Sequence, residues 1–489
     1  MTEAFNFKRS LGIAYLWNMT GKFVVRGLGV ISTLIIVRLL DPSDFGLVAI
    51  AMLVIGFGNV LTQIGVYRYL ILKPEIFDDD LNAAWTINII LRSLVVLGLV
   101  VLAPYIAKLW NDQDITIVIR LLAIVQIISM FENVGMIYFE KSVSFKQSAK
   151  LDIVAKIGSF FVTVGAAFLL KNYMALVLGA ITNALFRTSF SYYISNYRPR
   201  FSLKIDPDMF SVSSHIFVRN IIGYTRSQMD ILLIGQFFGS AAAGKFNIAK
   251  TFAIMPQTEL ISPAMKPFFS ASSKQSSDYN LVEKKFFQML FISLSLAFPC
   301  ILGLYALAEP FTLVVLGEKW LDVIPFIGIL GFIMLPFITQ PLLFNLYDFK
   351  GRSKYGVLND IFGLVAILCA FGVVGPVGLL EFTEIRIFVA FLSFLFMTML
   401  ACILIKLSFV HLMSVMVIIL IPTFLMAVGV FFIMPLLNDL SPILLLAITT
   451  CVGAGIYAFV FFLLASVFKR FGGRFLYSLY PAIIYKYTV

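Results

Sequence analysis

The chain has 489 residues, of which 60% are hydrophobic and 13% charged, and Phe alone occurs 50 times. So few charges cannot cover the surface of a water-soluble chain of this length, which excludes a set of soluble domains and leaves a polytopic membrane protein. The formal charge of +11 would suggest a nucleic-acid partner in a soluble chain, but here it is first weighed as an orientation signal.

In chain order, apolar runs between polar breaks predict fourteen spans, each near the 20 residues a helix needs to cross the hydrocarbon. They lie near 11–39, 44–71, 83–108, 115–138, 148–170, 173–195, 210–238, 244–268, 286–308, 322–346, 356–376, 385–406, 411–436 and 442–468. The opening "MTEAFNFKRS" is polar and lacks a small-residue cleavage site, so the first span is expected to stay in place as an anchor. With the N-terminus inside, the inside segments carry about 19 Lys and Arg, against about 3 outside, or about 7 with outside span ends included. Both termini are therefore expected in the cytoplasm, and most of the positive charge reads as topology. The tail "FKRFGGRFLYSLYPAIIYKYTV" mixes cations with Phe and Tyr, as an interfacial anchor does. Cys300, Cys369, Cys402 and Cys451 lie in apolar runs and read as small core residues. With two histidines and no metal-ligand spacing, neither a metal nor a cofactor is expected.

The segments "RLLDPSDFGLVAIA" (38–51) and "QFFGSAAAGKFNIA" (236–249) align at a shift of 198, pairing Gly46 with Gly244, Ile50 with Ile248 and Ala51 with Ala249. "KQSAKLDI" (146–153) echoes "KYGVLNDI" (354–361) at a shift of 208, matching Asp152 with Asp360. Six spans separate equivalents, so the halves point the same way. The expected architecture is an all-α integral membrane protein: an N-terminal lobe at 1–200, a C-terminal lobe at 201–408, and two accessory spans with the tail at 409–489.

A charge at membrane depth costs at least ~2.5–3.5 kcal/mol and turns to a bundle interior or a wet cavity. In "GKFVVRGLGVISTLIIVRLL" (21–40), eleven uncharged residues separate Arg26 from Arg38, about 16 Å of helix, so Lys22 and Arg26 must enter the membrane. After Asp230 only "ILLIGQFFG" remains, which places Arg219, Arg226 and Asp230 within span 7. Arg92 lies mid-span, one turn after Asn88. Structural readings compete with each. Arg226 and Asp230 have the i,i+4 spacing of a neutralising pair, as do Asp152 and Lys156. Arg68 and Lys266 sit at inside ends where snorkelling suffices, and Lys22 snorkels too if the helix starts late. Glu132 and Glu259 are either proton-linked or paired, and the sequence does not separate the two.

Two like-oriented halves with cations on their lead helices imply a positive cleft for an anionic solute or headgroup, worked by alternating access. No GxxxxGK[ST] motor is present, and no large outside loop with clustered acids suggests a membrane enzyme such as an O-antigen polymerase. An ion-coupled multidrug exporter, which wants an acidic cleft, is the alternative that Asp230 and Glu259 keep open.

"RLLDPSDFGLVAIAMLVIGFGNVLTQIGV", "FEKSVSFKQSAKLDIVAKIGS" and "MDILLIGQFFGSAAAGKFNIA" resemble the polysaccharide-export branch of the MOP superfamily, which holds the Wzx-type flippases, over about residues 10–370. The resemblance implies a V-shaped pair of six-helix lobes in the bacterial cytoplasmic (inner) membrane, acting as a non-enzymatic flippase. It implies an undecaprenyl-pyrophosphate-linked oligosaccharide substrate, with membrane lipids and a polysaccharide polymerase or glycosyltransferases as partners. Substrate contact is expected at Lys22, Arg26, Arg68, Arg92, Arg219 and Arg226, and ion coupling at Asp230, Glu132 or Glu259. "QIGVYRYLI" departs from the family's small and polar pattern, so Tyr67 and Arg68 are candidates for touching sugar or lipid.

Overall fold

Why a chain this apolar becomes helical follows from its solvent. Hydrocarbon offers no partner to a backbone N–H or C=O, so each span must satisfy its own. The computed structural model describes residues 2–62, 66–141, 145–204, 209, 214–263, 265, 279–352, 354–375, 378–437 and 439–471, and among these no strand occurs. The tail beyond 471, Lys266, and the side chains of Arg68 and residues 2–19 lie outside the described set.

The chain forms two compact units, Met1–Gly244 and Lys245–Val489. The first contains α1 (Thr2–Leu39), α2 (Pro42–Thr62), α3 (Val66–Leu72), α4 (Asp78–Leu109), α5 (Asp114–Ser129), α6 (Ile137–Lys141), α7 (Phe145–Leu170), α8 (Met174–Ile194) and most of α9 (Ser214–Ala253). The second holds the end of α9, then α10 (Tyr279–Ala306), α11 (Ile324–Leu330), α12 (Met334–Phe349), α13 (Lys354–Val374), α14 (Leu379–Leu404), α15 (Phe409–Ile433) and α16 (Pro442–Phe471).

Among the described residues, eleven helices are long and apolar enough to cross a membrane, or twelve if α5 and the segment 134–141, bent by 63°, count as one span. The expected fourteen is not confirmed. The boundary between expected spans 7 and 8 falls at a kink inside α9, where two helical stretches meet at Gly239, whose φ of 84° is a left-handed backbone that glycine tolerates. Expected span 1 lies in α1, half of whose side chains are undescribed.

Helices in lipid gain little from apolar burial, so close packing and internal hydrogen bonds hold them. In the first unit, α7 meets α8 through small residues. A Cβ on Gly158 would lie 2.8 Å from the Phe186 ring, and one on Gly179 would collide with the Thr163 hydroxyl. Buried hydroxyls return to their own helix, Thr163 Oγ1 donating to the Ser159 carbonyl at 2.6 Å and Thr423 Oγ1 to the Ile419 carbonyl at 2.7 Å. The core of the second unit gathers Phe286, Phe287, Phe291, Ile338, Met397 and Val415. Tyr347 donates to the Met397 carbonyl there at 3.0 Å. Cys369 and Cys451 are exposed, not core residues as expected; Cys300 and Cys402 are half-buried.

Within the first unit, Gly46 and Gly244 lie where two helices approach closely. A Cβ on Gly46 would strike the Ser240 carbonyl, and a Cβ on Gly244 would strike the Pro42 carbonyl. Pro42 and Ser240 are themselves 198 residues apart.

Candidate functional site: a charged chamber in the first unit

Six stretches of the first unit surround a chamber of about 650 Å³. They are the end of α2 with α3, the start of α4, the end of α5 with the bend that follows, the start of α7, the end of α8, and Asn220 of α9. These ends share one side of the unit because the helices alternate in direction along the chain.

Arg92 sits half-buried on α4. Its Nε donates to Asn88 Oδ1 at 2.9 Å, and its Nη1 donates to Gln126 Oε1 at 3.1 Å on α5. Asn88 in turn donates to the Met130 carbonyl at 3.1 Å. The expected one-turn relation of Asn88 and Arg92 is thus a hydrogen bond, and it aims the guanidinium along the chamber wall.

The centre of the network is Arg187 on α8. Its Nε donates to Glu132 Oε1 at 3.0 Å and Oε2 at 3.2 Å, and its Nη1 donates to Asp152 Oδ1 at 2.5 Å. Asp152 is therefore paired across to α8, not with Lys156 as its i,i+4 spacing suggests. The tight α7–α8 contact brings a guanidinium with a fork geometry into reach, and two carboxylates share it. The Lys156 ammonium extends along α1, 3.6 Å from a Cβ position on Gly29. Glu140 also lines the chamber. Two guanidiniums thus face three carboxylates, a mixed lining.

An irregular strap, residues 195–204, braces the chamber from behind. Asn82 Oδ1 accepts from the Tyr197 hydroxyl at 2.7 Å and from the Arg200 amide at 2.7 Å. Asn133 Nδ2 donates to the Tyr197 carbonyl at 2.7 Å. Phe201 packs edge-on against Trp85, ring centroids 5.0 Å apart. Burial pushes the Tyr197 phenol up to about 12, with Asp78, Tyr138 and Asp79 adding to the shift. Nearby, Lys73 Nζ bonds Asp80 Oδ1 at 2.6 Å, which holds the ammonium above its ordinary range. Lys141 caps the Lys73 and Pro74 carbonyls.

Of the sequence-predicted site residues, Arg92 and Glu132 line the chamber, as does Tyr67. Lys22 is exposed, Arg26, Arg219, Arg226 and Glu259 are half-buried, Asp230 is fully buried, and none of these six lines it. The Arg68 side chain lies outside the described residues. Sequence reasoning missed Arg187 and Glu140. The signal for Arg187 was present: "ALFRTSF" places a cation inside an apolar span, where a carboxylate on a neighbouring helix is the usual answer.

The chain is similar to the lipopolysaccharide biosynthesis protein WzxC of Escherichia coli (strain K12), 24% identical over 391 residues that cover 78% of this chain and 79% of that protein. It is similar to the succinoglycan biosynthesis transport protein ExoT of Rhizobium meliloti (strain 1021), 24% identical over 336 residues, 68% of this chain and 67% of that one. Its fold matches the structure of lipid II flippase MurJ in an inward closed conformation, with a TM-score of 0.73, 13% identity, and coverage of 93% of this chain and 99% of that one. A family described as polysaccharide biosynthesis protein matches residues 35–325, more than half of the sequence, and the chain belongs to that family.

Proposed function

We propose that this protein turns a lipid-linked oligosaccharide from the inner to the outer leaflet of the bacterial cytoplasmic membrane. The observation that carries the reading is the joining of two likenesses on one chain. A polysaccharide biosynthesis family covers residues 35–325, and the fold of a lipid flippase covers 93% of the sequence. The names of the relatives in lipopolysaccharide and succinoglycan biosynthesis point to the same substrate class.

In this reading the carrier is undecaprenyl pyrophosphate, both termini are cytoplasmic, and two six-span lobes with two accessory helices alternate in access. Lys22, Arg26, Arg219 and Arg226 offset the phosphate charge as the headgroup crosses, since an anion taken from water into oil needs compensating cations. Arg92 and Tyr67 meet the glycan, and Asp230, Glu132 or Glu259 supplies the coupling proton or ion. Lys22→Ala and Arg26→Ala, separately and together, are tested in cells that depend on the chain for surface glycan. Surface glycan is expected to fall at least tenfold in the double variant, with lipid-linked oligosaccharide accumulating inside. Normal glycan at equal protein level overturns the role of these cations.

A further inference from the structure

The strap at 195–204 is laid along the start of α4 in a fixed register. The Arg200 amide donates to Asn82 Oδ1 at 2.7 Å, and the Ser202 amide donates to Thr86 Oγ1 at 2.9 Å. Two residues of extended chain cover about 6.6 Å, and four residues of helix cover about 6 Å. Strap and helix therefore advance together, with Phe201 against Trp85 between the two anchors. That register gives the strap a depth. α4 is 32 residues long, about 48 Å of helix against about 30 Å of hydrocarbon. Its first turn holds Asp78, Asp79 and Asp80, so this is an end that stands among headgroups and water. The expected span starts at 83, and Trp85 suits the boundary, where indole rings collect.

Polarity along the strap follows that depth. The exposed Arg198 and Arg200 come first, up to the Asn82 anchor. Phe201 and Leu203 follow, beside Trp85 and past the Thr86 anchor, and are exposed by 70% and 77%. The Lys204 ammonium then reaches back to Asp79 Oδ2 at 3.6 Å, the direction a lysine takes when it snorkels out of hydrocarbon. We propose that the strap is a docking surface for phospholipid, with Arg198 and Arg200 on the phosphate of a leaflet lipid and Phe201 and Leu203 against its acyl chains. Graded polarity selects this occupant over a protein, since cations on the headgroup side of apolar side chains reproduce the order of a bilayer boundary. Arginine suits the phosphate, because the guanidinium fork matches its oxygens. Two acids on this rim, Asp79 and Asp80, are already taken by Lys204 and Lys73. Arg198 Nη1 donates to the Ser195 and Tyr197 carbonyls at 2.6 and 2.9 Å, which holds its guanidinium on the strap. Trp85 is also a wall of the chamber, so a lipid seated here bears on the chamber through one indole. The inference goes beyond the flippase reading and stands whatever substrate the chain carries.

The full chain is placed in phosphatidylcholine nanodiscs containing phosphatidylglycerol with an acyl-chain diazirine, irradiated, and mapped by mass spectrometry with α16 as internal reference. Label is expected on 195–204. Leu203→Asp should cut it at least fivefold, and Arg198→Gln with Arg200→Gln at least threefold, with α16 unchanged. Should the arginine pair fail to accumulate, Leu203→Asp alone carries the test. Excess unlabelled polyprenyl phosphate should leave the strap label in place. In cells, Leu203→p-benzoylphenylalanine should form phospholipid adducts on irradiation. An unlabelled strap, label indifferent to the substitutions, displacement by polyprenyl phosphate, or a discrete protein adduct at position 203 overturns the proposal.

Discussion

Gly46 and Gly244 exclude side chains from each other's surroundings: each faces the backbone carbonyl of the residue four positions before the other. Backbone cannot rotate out of the way as a flexible side chain does, so even one methyl group must move a helix. Gly46→Ala and Gly244→Ala should each destabilise the protein by about 1–3 kcal/mol. The double variant should cost less than the sum, because the first displacement makes room for the second. Thermal unfolding in detergent measures all three, and strict additivity would show that the two glycines do not share one contact.

Arg187 holds Glu132 and Asp152 at one site. Arg187→Gln leaves two carboxylates facing each other without a cation, which raises the energy of the folded state. All three side chains are partly open to the chamber, with Arg187 and Asp152 exposed by 42% and 44%, so screening limits the loss to about 1–2 kcal/mol. Adding Glu132→Gln to Arg187→Gln should recover part of it. A double-mutant cycle on unfolding temperature reads the coupling, and a coupling near zero contradicts a working network.

Tyr197 ties the strap to Asn82 as a neutral phenol. Its folded pKa is raised to about 12, above the ordinary value near 10, so the unfolded chain gives up this proton first. The stability it contributes is complete below pH 10 and declines as pH climbs from 10 toward 12. Tyr197→Phe should lower stability by about 1 kcal/mol at neutral pH, through the lost hydrogen bond, and should lack this tyrosine's share of the alkaline decline. Unfolding curves at pH 8, 10 and 11 compare the two. Parallel curves for wild type and variant would disprove the assignment.

Much of this molecule is legible from one-dimensional patterns because lipid enforces them. Helicity and the approximate span positions follow from apolar run length. Arg92 with Asn88 follows from helical spacing. The partner of Asp152 does not: Lys156 one turn along α7 and Arg187 on α8 are equally good cations, and which one wins is decided by how closely Gly158 and Gly179 let the two helices approach. At Gly239 polarity and backbone agree: the boundary expected between spans 7 and 8 falls where one residue leaves helical geometry and the helix kinks.

The strap has an evolutionary corollary. Asn82, Asn133 and Phe201 fasten it, so the set of Trp85 and the bend after α5 is governed by a few side chains in an irregular segment rather than by a regular backbone ladder. The pose of Trp85 and of that bend can therefore be reset by changing a handful of positions there, while the packing between spans is left as it is.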